Sequence, residues 1–123
     1  MKVELKIIDG LFSVCRVKAL RAEDLEGDFL FIARTDEELS LVCRPERVPG
    51  DALAREDGWR ALRIQGVLDF SLVGILAPIA ELLARAKVGI FAVSTYNTDY
   101  ILVRQAQLDT AVAALRDGGF TVT

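Results

Sequence analysis

Residues 59–103 read WRALRIQGVLDFSLVGILAPIAELLARAKVGIFAVSTYNTDYILV. The pattern predicts a strand over 59–65, a glycine-containing turn over 66–70 and a helix from an N-cap at Ser71 to about residue 86. A second strand over 88–95 follows, then a tight loop at Tyr96, Asn97 and Thr98, then a third strand over 99–103. The spare polar side chains fall at the ends of these elements. Gln65 and Asp69 flank Gly66 before the helix, and Ser94, Thr95, Asn97, Thr98 and Asp99 stand between the last two strands.

Downstream, Leu108, Ala111, Val112 and Leu115 follow the i, i+3, i+4, i+7 spacing of a one-sided helix. Gly118 and Gly119 end that helix, and residues 120–123 form a last short strand. The order β-α-β-β-α-β is the split βαβ arrangement, an α+β, ferredoxin-like fold with a four-stranded antiparallel sheet and both helices on one face. Pro78 lies seven residues into the proposed helix, where it has no N–H for the Gly74 carbonyl. A kink is expected there.

Upstream, Val3, Leu5 and Ile7 alternate with charged residues, as in a half-buried strand. Asp9-Gly10 reads as a type I′ hairpin turn, with residues 11–17 returning. A short helix is expected around 19–25. Residues 29–33, apolar on both faces, read as a central strand. Thr35 and Glu38 are spaced as a helix start, but only one turn fits before the strand at 39–43. Residues 44–58 read as a linker, dividing a truncated β-rich half (1–50) from a complete module (59–123).

Composition limits the chemistry. The chain has 123 residues, 52% hydrophobic and 27% charged, with a net charge of −3. Its basic residues form no cluster, so the footprint needed to neutralise phosphates is missing and nucleic acid is not an expected partner. No histidine is present, which excludes His-ligated metals and His general bases. Cys15 and Cys43 sit in apolar runs without a CxxC spacing and read as reduced core thiols. No signal peptide or membrane span is apparent, so a cytoplasmic protein is expected. Ser13, Ser40 and Ser71 have no base that the sequence identifies. No catalytic residue, metal site or cofactor is expected.

The two corners suit binding instead. A helix N-terminus favours a carboxylate, and Gly66 lets the backbone be approached closely. Asp99, beside the Thr95 and Thr98 hydroxyls, can accept from an ammonium. Together they match a free amino acid.

Residues 69–103, with RTDEELSLVC at 34–43, resemble the ACT domain, a small ligand-binding module of amino-acid metabolism. The whole chain is similar to tandem-ACT proteins such as the cytosolic arginine sensors and the regulatory region of aspartate kinases. The resemblance implies a non-enzymatic regulatory module, paired as a homodimer, with its ligand at an ACT–ACT interface and a separate protein as the regulated partner. It assigns the ligand's amino group to Asp99, with Thr95 and Thr98 beside it. It assigns the carboxylate to backbone near Gly66, Val67 and Gly74, and main-chain contacts from a facing module to Ser40, Leu41 and Val42. The arginine sensors carry an acidic residue where this chain has Leu72 and Val73, which implies a smaller or more apolar ligand. The alternative is a dimerisation or protein-interaction module with a vestigial pocket.

Overall fold

A computed structural model describes residues 3–65 and 74–123. Its strands are β1 (Glu4–Arg16), β2 (Phe31–Arg34), β3 (Leu39–Cys43), β4 (Ala54–Ile64), β5 (Ile90–Ser94), β6 (Asp99–Arg104) and β7 (Thr121–Val122). Its helices are α1 (Leu76–Arg85) and α2 (Leu108–Asp117), with one-turn 3-10 segments at Ala22–Leu25, Pro45–Arg47 and Gln105–Gln107. Two compact units divide the chain. One comprises residues 1–9 and 60–123, the other residues 10–59. The long strands β1 and β4 each contribute to both.

In the first unit the strand order is β7-β1-β4-β6-β5. The expected four-stranded βαββαβ sheet is therefore widened by a fifth strand. The start of β1 lies between β7 and β4, parallel to β7 at Glu4↔Thr121 and Leu5↔Val122. Gln65 N–H donates to the Glu4 carbonyl at 2.8 Å on the other side. The helices cover a core of Leu5, Leu62, Ile64, Ile79, Leu83, Ile101, Val103, Ala111 and Leu115. The 3.6-residue spacing of α2 lies behind this packing, since Ala111, Val112 and Leu115 are its buried residues.

Both helices end alike. After α1, Lys87 N–H reaches the Ala84 carbonyl and Val88 N–H reaches Leu83. After α2, Gly119 reaches Arg116 and Phe120 reaches Leu115. Each is a Schellman closure around a left-handed residue, Lys87 at φ 61 and Gly119 at φ 96.

The expected kink at Pro78 is absent because α1 starts at Leu76, later than expected. Pro78 is the third helical residue, and its missing N–H belongs to the group that has no intrahelical partner in any helix. Ser71, the expected N-cap, lies outside the described residues.

In the second unit the order is β2-β3-β1-β4. β3 pairs antiparallel with β1 (Ser13↔Cys43, Cys15↔Leu41) and with β2 (Phe31↔Val42, Arg34↔Leu39). Cys15, Val17, Leu41 and Cys43 form its buried cluster. One-turn 3-10 segments, at Ala22–Leu25 and Pro45–Arg47, connect its strands.

Three local expectations are corrected here. Asp9-Gly10 makes no hairpin, because β1 runs continuously from Glu4 to Arg16. Gly10 instead admits the Arg44 side chain, whose Nη1 lies 2.8 Å from where a Cβ would stand. Residues 29–33 do not form a central strand, since β2 is the outer strand and Ile32 is 43% exposed. The aromatic content there serves a local cluster. Phe12 and Phe29 meet edge to face at 5.8 Å, and the Arg44 guanidinium lies 4.5 and 5.2 Å from their centroids. The expected linker at 44–58 is also shorter than read, because β4 already begins at Ala54.

Candidate ligand site

The strand–loop–strand corner occurs twice, with the same internal hydrogen bonds. In the C-terminal unit, Thr95 N–H donates to the Thr98 carbonyl at 2.9 Å, and Thr98 N–H donates to Thr95 Oγ1 at 3.3 Å. In the N-terminal unit, Thr35 N–H donates to the Glu38 carbonyl at 2.9 Å, and Glu38 N–H donates to Thr35 Oγ1 at 3.1 Å. A threonine four residues ahead of the returning strand holds each corner by bonding nearby backbone.

That arrangement commits the two C-terminal hydroxyls. Thr95 Oγ1 donates to the Thr98 carbonyl at 2.9 Å, and the buried Thr98 Oγ1 donates to the Ile64 carbonyl at 2.7 Å. Both threonines shape the corner.

Asp99 differs. It opens β6 opposite Ser94, half-buried, and strand alternation puts it on the face of Ile101 and Val103, which pack in the core with Ile79 and Leu83 of α1. Among the described residues its carboxylate has no hydrogen bond or ion pair. Gly74 precedes the start of α1 at φ 80, and among the described residues nothing lies within 4 Å of where its Cβ would be. The N-cap of α1 is Ile75, which supplies no side-chain bond to the first-turn N–H groups. Among the described residues, first-turn donors without a side-chain cap and an unpaired carboxylate thus belong to elements on one side of the sheet. Gly66 and Val67 lie outside the described residues.

Ser40 and Leu41 sit on β3, in the other unit. Leu41 is a core residue and the Ser40 hydroxyl donates to Glu38. β3 is flanked on both sides, so the main chain of Ser40, Leu41 and Val42 is engaged in ladders with β1 and β2.

Two recesses were not foreseen. One of about 310 Å3 is lined by Arg63, Gln65, Thr95, Asn97, Thr98 and Tyr100. In it the Arg63 guanidinium lies 5.9 Å from the Tyr100 centroid and donates to Gln65 Oε1 at 3.0 Å. The other, about 680 Å3, surrounds the Thr35 corner.

Catalytic pairing is poorly served. Ser13 Oγ donates to Asp57, a nucleophile and a carboxylate in contact. Ser13 is fully buried, however, and Ser13 and Arg55 together hold the Asp57 carboxyl below its ordinary range, which makes it a poor base. Cys15 and Cys43 are free and buried. Burial raises the Cys15 thiol and pushes Cys43 up to about 12, opposite to what a nucleophile needs. Among the described residues, no group of three acidic, Cys or His side chains could hold a metal, and no helix is long and apolar enough to cross a membrane.

A family model for the ACT domain matches residues 54–117, and a second model, described as an N-terminal domain, matches residues 10–51. A structural-genomics protein from Agobacterium tumefaciens is 33% identical, with a TM-score of 0.90 over 100% of this chain and 93% of that one. A Vibrio cholerae protein described as of unknown function and a possible transport protein is 20% identical, with a TM-score of 0.76 over 96% of this chain and 91% of that one. The ligand-free regulatory subunit of aspartate kinase from Thermus thermophilus shares the fold at 9% identity, with a TM-score of 0.65 over 93% of this chain and 95% of that one. No curated protein matches the sequence.

Proposed function

Because the chain belongs to the ACT domain family, whose fold here is that of aspartate kinase regulatory subunits, we propose that it is a non-enzymatic sensor of a small free amino acid. The observation that carries this reading is Asp99, a half-buried carboxylate without a partner among the described residues. A partly desolvated carboxylate is stabilised by a cation, and a ligand ammonium supplies one. The ligand's carboxylate goes to the first N–H groups of α1, beside the open backbone at Gly74. The signal passes to a separate protein, through a homodimer of this chain, and the binding needs no cofactor.

Thermal-shift and calorimetric titration with the twenty amino acids tests the proposal. Ligand at 100 times Kd adds about 2.7 kcal/mol of stability. Asp99→Ala abolishes binding and leaves the fold intact. A folded protein that responds to none of the twenty, or binding that survives Asp99→Ala unchanged, overturns the reading.

A further inference from the structure

The chain passes between its two units twice, within β1 between Asp9 and Gly10 and within β4 between Trp59 and Arg60. Each crossing carries a glycine in the left-handed region, Gly10 at φ 90 and Gly58 at φ 83. Strand residues ordinarily hold φ at about −120 to −140°, so both strands depart from extended geometry here. The departures share one level of the ladder. Gln65 N–H donates to the Glu4 carbonyl and Leu53 N–H to the Arg16 carbonyl, each at 2.8 Å, so β1 and β4 keep one antiparallel register at both ends. That register sets Gly10 opposite Trp59 and Gly58 opposite Leu11, on neighbouring rungs. Gly10 makes room for Arg44, but among the described residues nothing lies within 4 Å of where a Gly58 Cβ would stand. Packing therefore accounts for the first glycine and not for the second.

The ladder is also least supported at this level. One edge of β1 meets β7 as far as Ile7, whose N–H donates to the Thr123 carbonyl, and meets β3 from Ser13 onward. Between them the Leu11 carbonyl accepts from a side chain, Arg44 Nη1 at 3.2 Å. On β4, Arg60 Nε is buried without a hydrogen-bond partner among the described residues, and Arg60 Nη2 reaches the Ile8 carbonyl only at 3.5 Å. A buried donor left unsatisfied is a cost that this arrangement of the strands carries. A single bent strand would be held by its neighbour, whereas glycines on adjacent rungs let both strands yield together. We infer that the crossing is a hinge, at which β1 and β4 flex about Gly10 and Gly58. All covalent connection between the units runs through these two strands, so a change in one unit reaches the other through their bend. The inference uses no residue of the Asp99 site and holds whatever that site takes.

Residual dipolar couplings of the full chain test this, with an alignment tensor fitted separately to each unit. The expected result is two tensors of different magnitude. Equal magnitude and rhombicity mean one rigid body and overturn the inference. Hydrogen exchange supplies the local readout. Amides of residues 8–12 and 57–61 are expected to exchange at least about ten-fold faster than those of residues 13–16, and equal protection overturns the hinge. Gly58→Asn keeps the left-handed backbone within reach while narrowing its freedom, and its side chain meets open space among the described residues. In this variant, shown by circular dichroism to be folded, the tensor magnitudes converge and exchange at the crossing slows about three-fold or more. A glycine needed only for its shape predicts a loosened ladder and faster exchange. That outcome, or a folded variant whose tensors differ as much as the parent's, overturns the hinge. If the variant does not fold, the two measurements on the parent decide.

Discussion

Gly118 offers a sharp test of how α1 and α2 are packed. It closes α2 at φ −80 and ψ 2, a conformation open to any residue, so its smallness is not required by its own backbone. The requirement comes from α1. A Cβ at Gly118 would stand 2.3 Å from Leu82 Cδ1, 2.9 Å from Cδ2 and 3.2 Å from Cγ. Carbon atoms attract at about 3.5–4.0 Å, so Leu82 must leave its place. Overpacking of this kind costs about 1–3 kcal/mol. Against it, alanine restricts the unfolded chain and returns about 0.4–1 kcal/mol. Gly118→Ala is therefore expected to destabilise by up to about 2.6 kcal/mol. In a Leu82→Ala background the obstructing atoms are gone, and the same substitution becomes neutral or stabilising by up to about 1 kcal/mol. Urea unfolding of the four proteins, followed by circular dichroism, gives the coupling from the midpoints at constant slope. A Gly118→Ala cost that is equal in both backgrounds refutes the packing account and assigns the glycine's role to the helix end itself.

Pro78→Ala is expected to change stability by no more than about 1 kcal/mol, because the proline removes no intrahelical bond at the third helical position; a gain near 3 kcal/mol would place it in a helix interior. Lys87→Gly should raise stability by about 0.5–1 kcal/mol, since a lysine now occupies the left-handed position that glycine fills after α2, and a loss in the same urea assay would refute this. At pH 8 the native chain should resist iodoacetamide at Cys43 by about a thousand-fold relative to the unfolded chain, because a thiol near 12 is only about one part in ten thousand ionised, and equal rates would refute the burial. The same raised thiol sets a sign for pH dependence: its contribution is complete below the unfolded thiol value of about 8.5 and is lost as pH rises toward 12, so unfolding midpoints should fall through that alkaline window and do so less in Cys43→Ala.

Local patterns carried the elements well and the pairings poorly. The expected strand at residues 39–43 is β3 as found, and the apolar spacing of α2 marks the residues that are buried. Periodicity reports such facts because it records which side of an element meets the core. It does not report which distant strand lies alongside. The entry of β1 between β7 and β4 is a property of pairing across the length of the chain, and nothing near Glu4 signals it. The Asp9-Gly10 misreading has a related cause. The dipeptide suits a hairpin, yet a glycine in a strand equally admits a side chain from elsewhere, here Arg44. The aromatic run at residues 29–33 concealed the same arginine, which covers Phe29 at an outer strand. At the candidate site, Asp99 was legible as a polar residue with no structural duty. Thr95 and Thr98 were legible as corner residues, but sequence alone does not separate a hydroxyl offered to a ligand from one spent on its own turn.

The two corners show why the chemistry of this fold is free to diverge. Each is closed by backbone groups and one threonine hydroxyl, so the turn constrains Thr35 and Thr95 and does not itself fix the two residues that follow each of them. The residues between them then differ in kind: Asp36 and Glu37 in the first, Tyr96 and Asn97 in the second. The preceding strands differ too, since Arg34 enters the first corner where Ser94 enters the second. Truncation adds to this divergence. A 3-10 turn of four residues at Ala22–Leu25 stands where the C-terminal unit has the ten-residue α1, so the N-terminal unit lacks the bundle of N-terminal N–H groups that could take a carboxylate. At that corner the charges are on side chains, Arg16, Lys18 and Arg34 with Asp36, Glu37 and Glu38. In the C-terminal unit α1 presents its first backbone N–H groups, and Asp99 is an acidic side chain uncommitted among the described residues. The two corners thus present different chemistry, exposed side-chain charges at one and a helix end beside a half-buried carboxylate at the other.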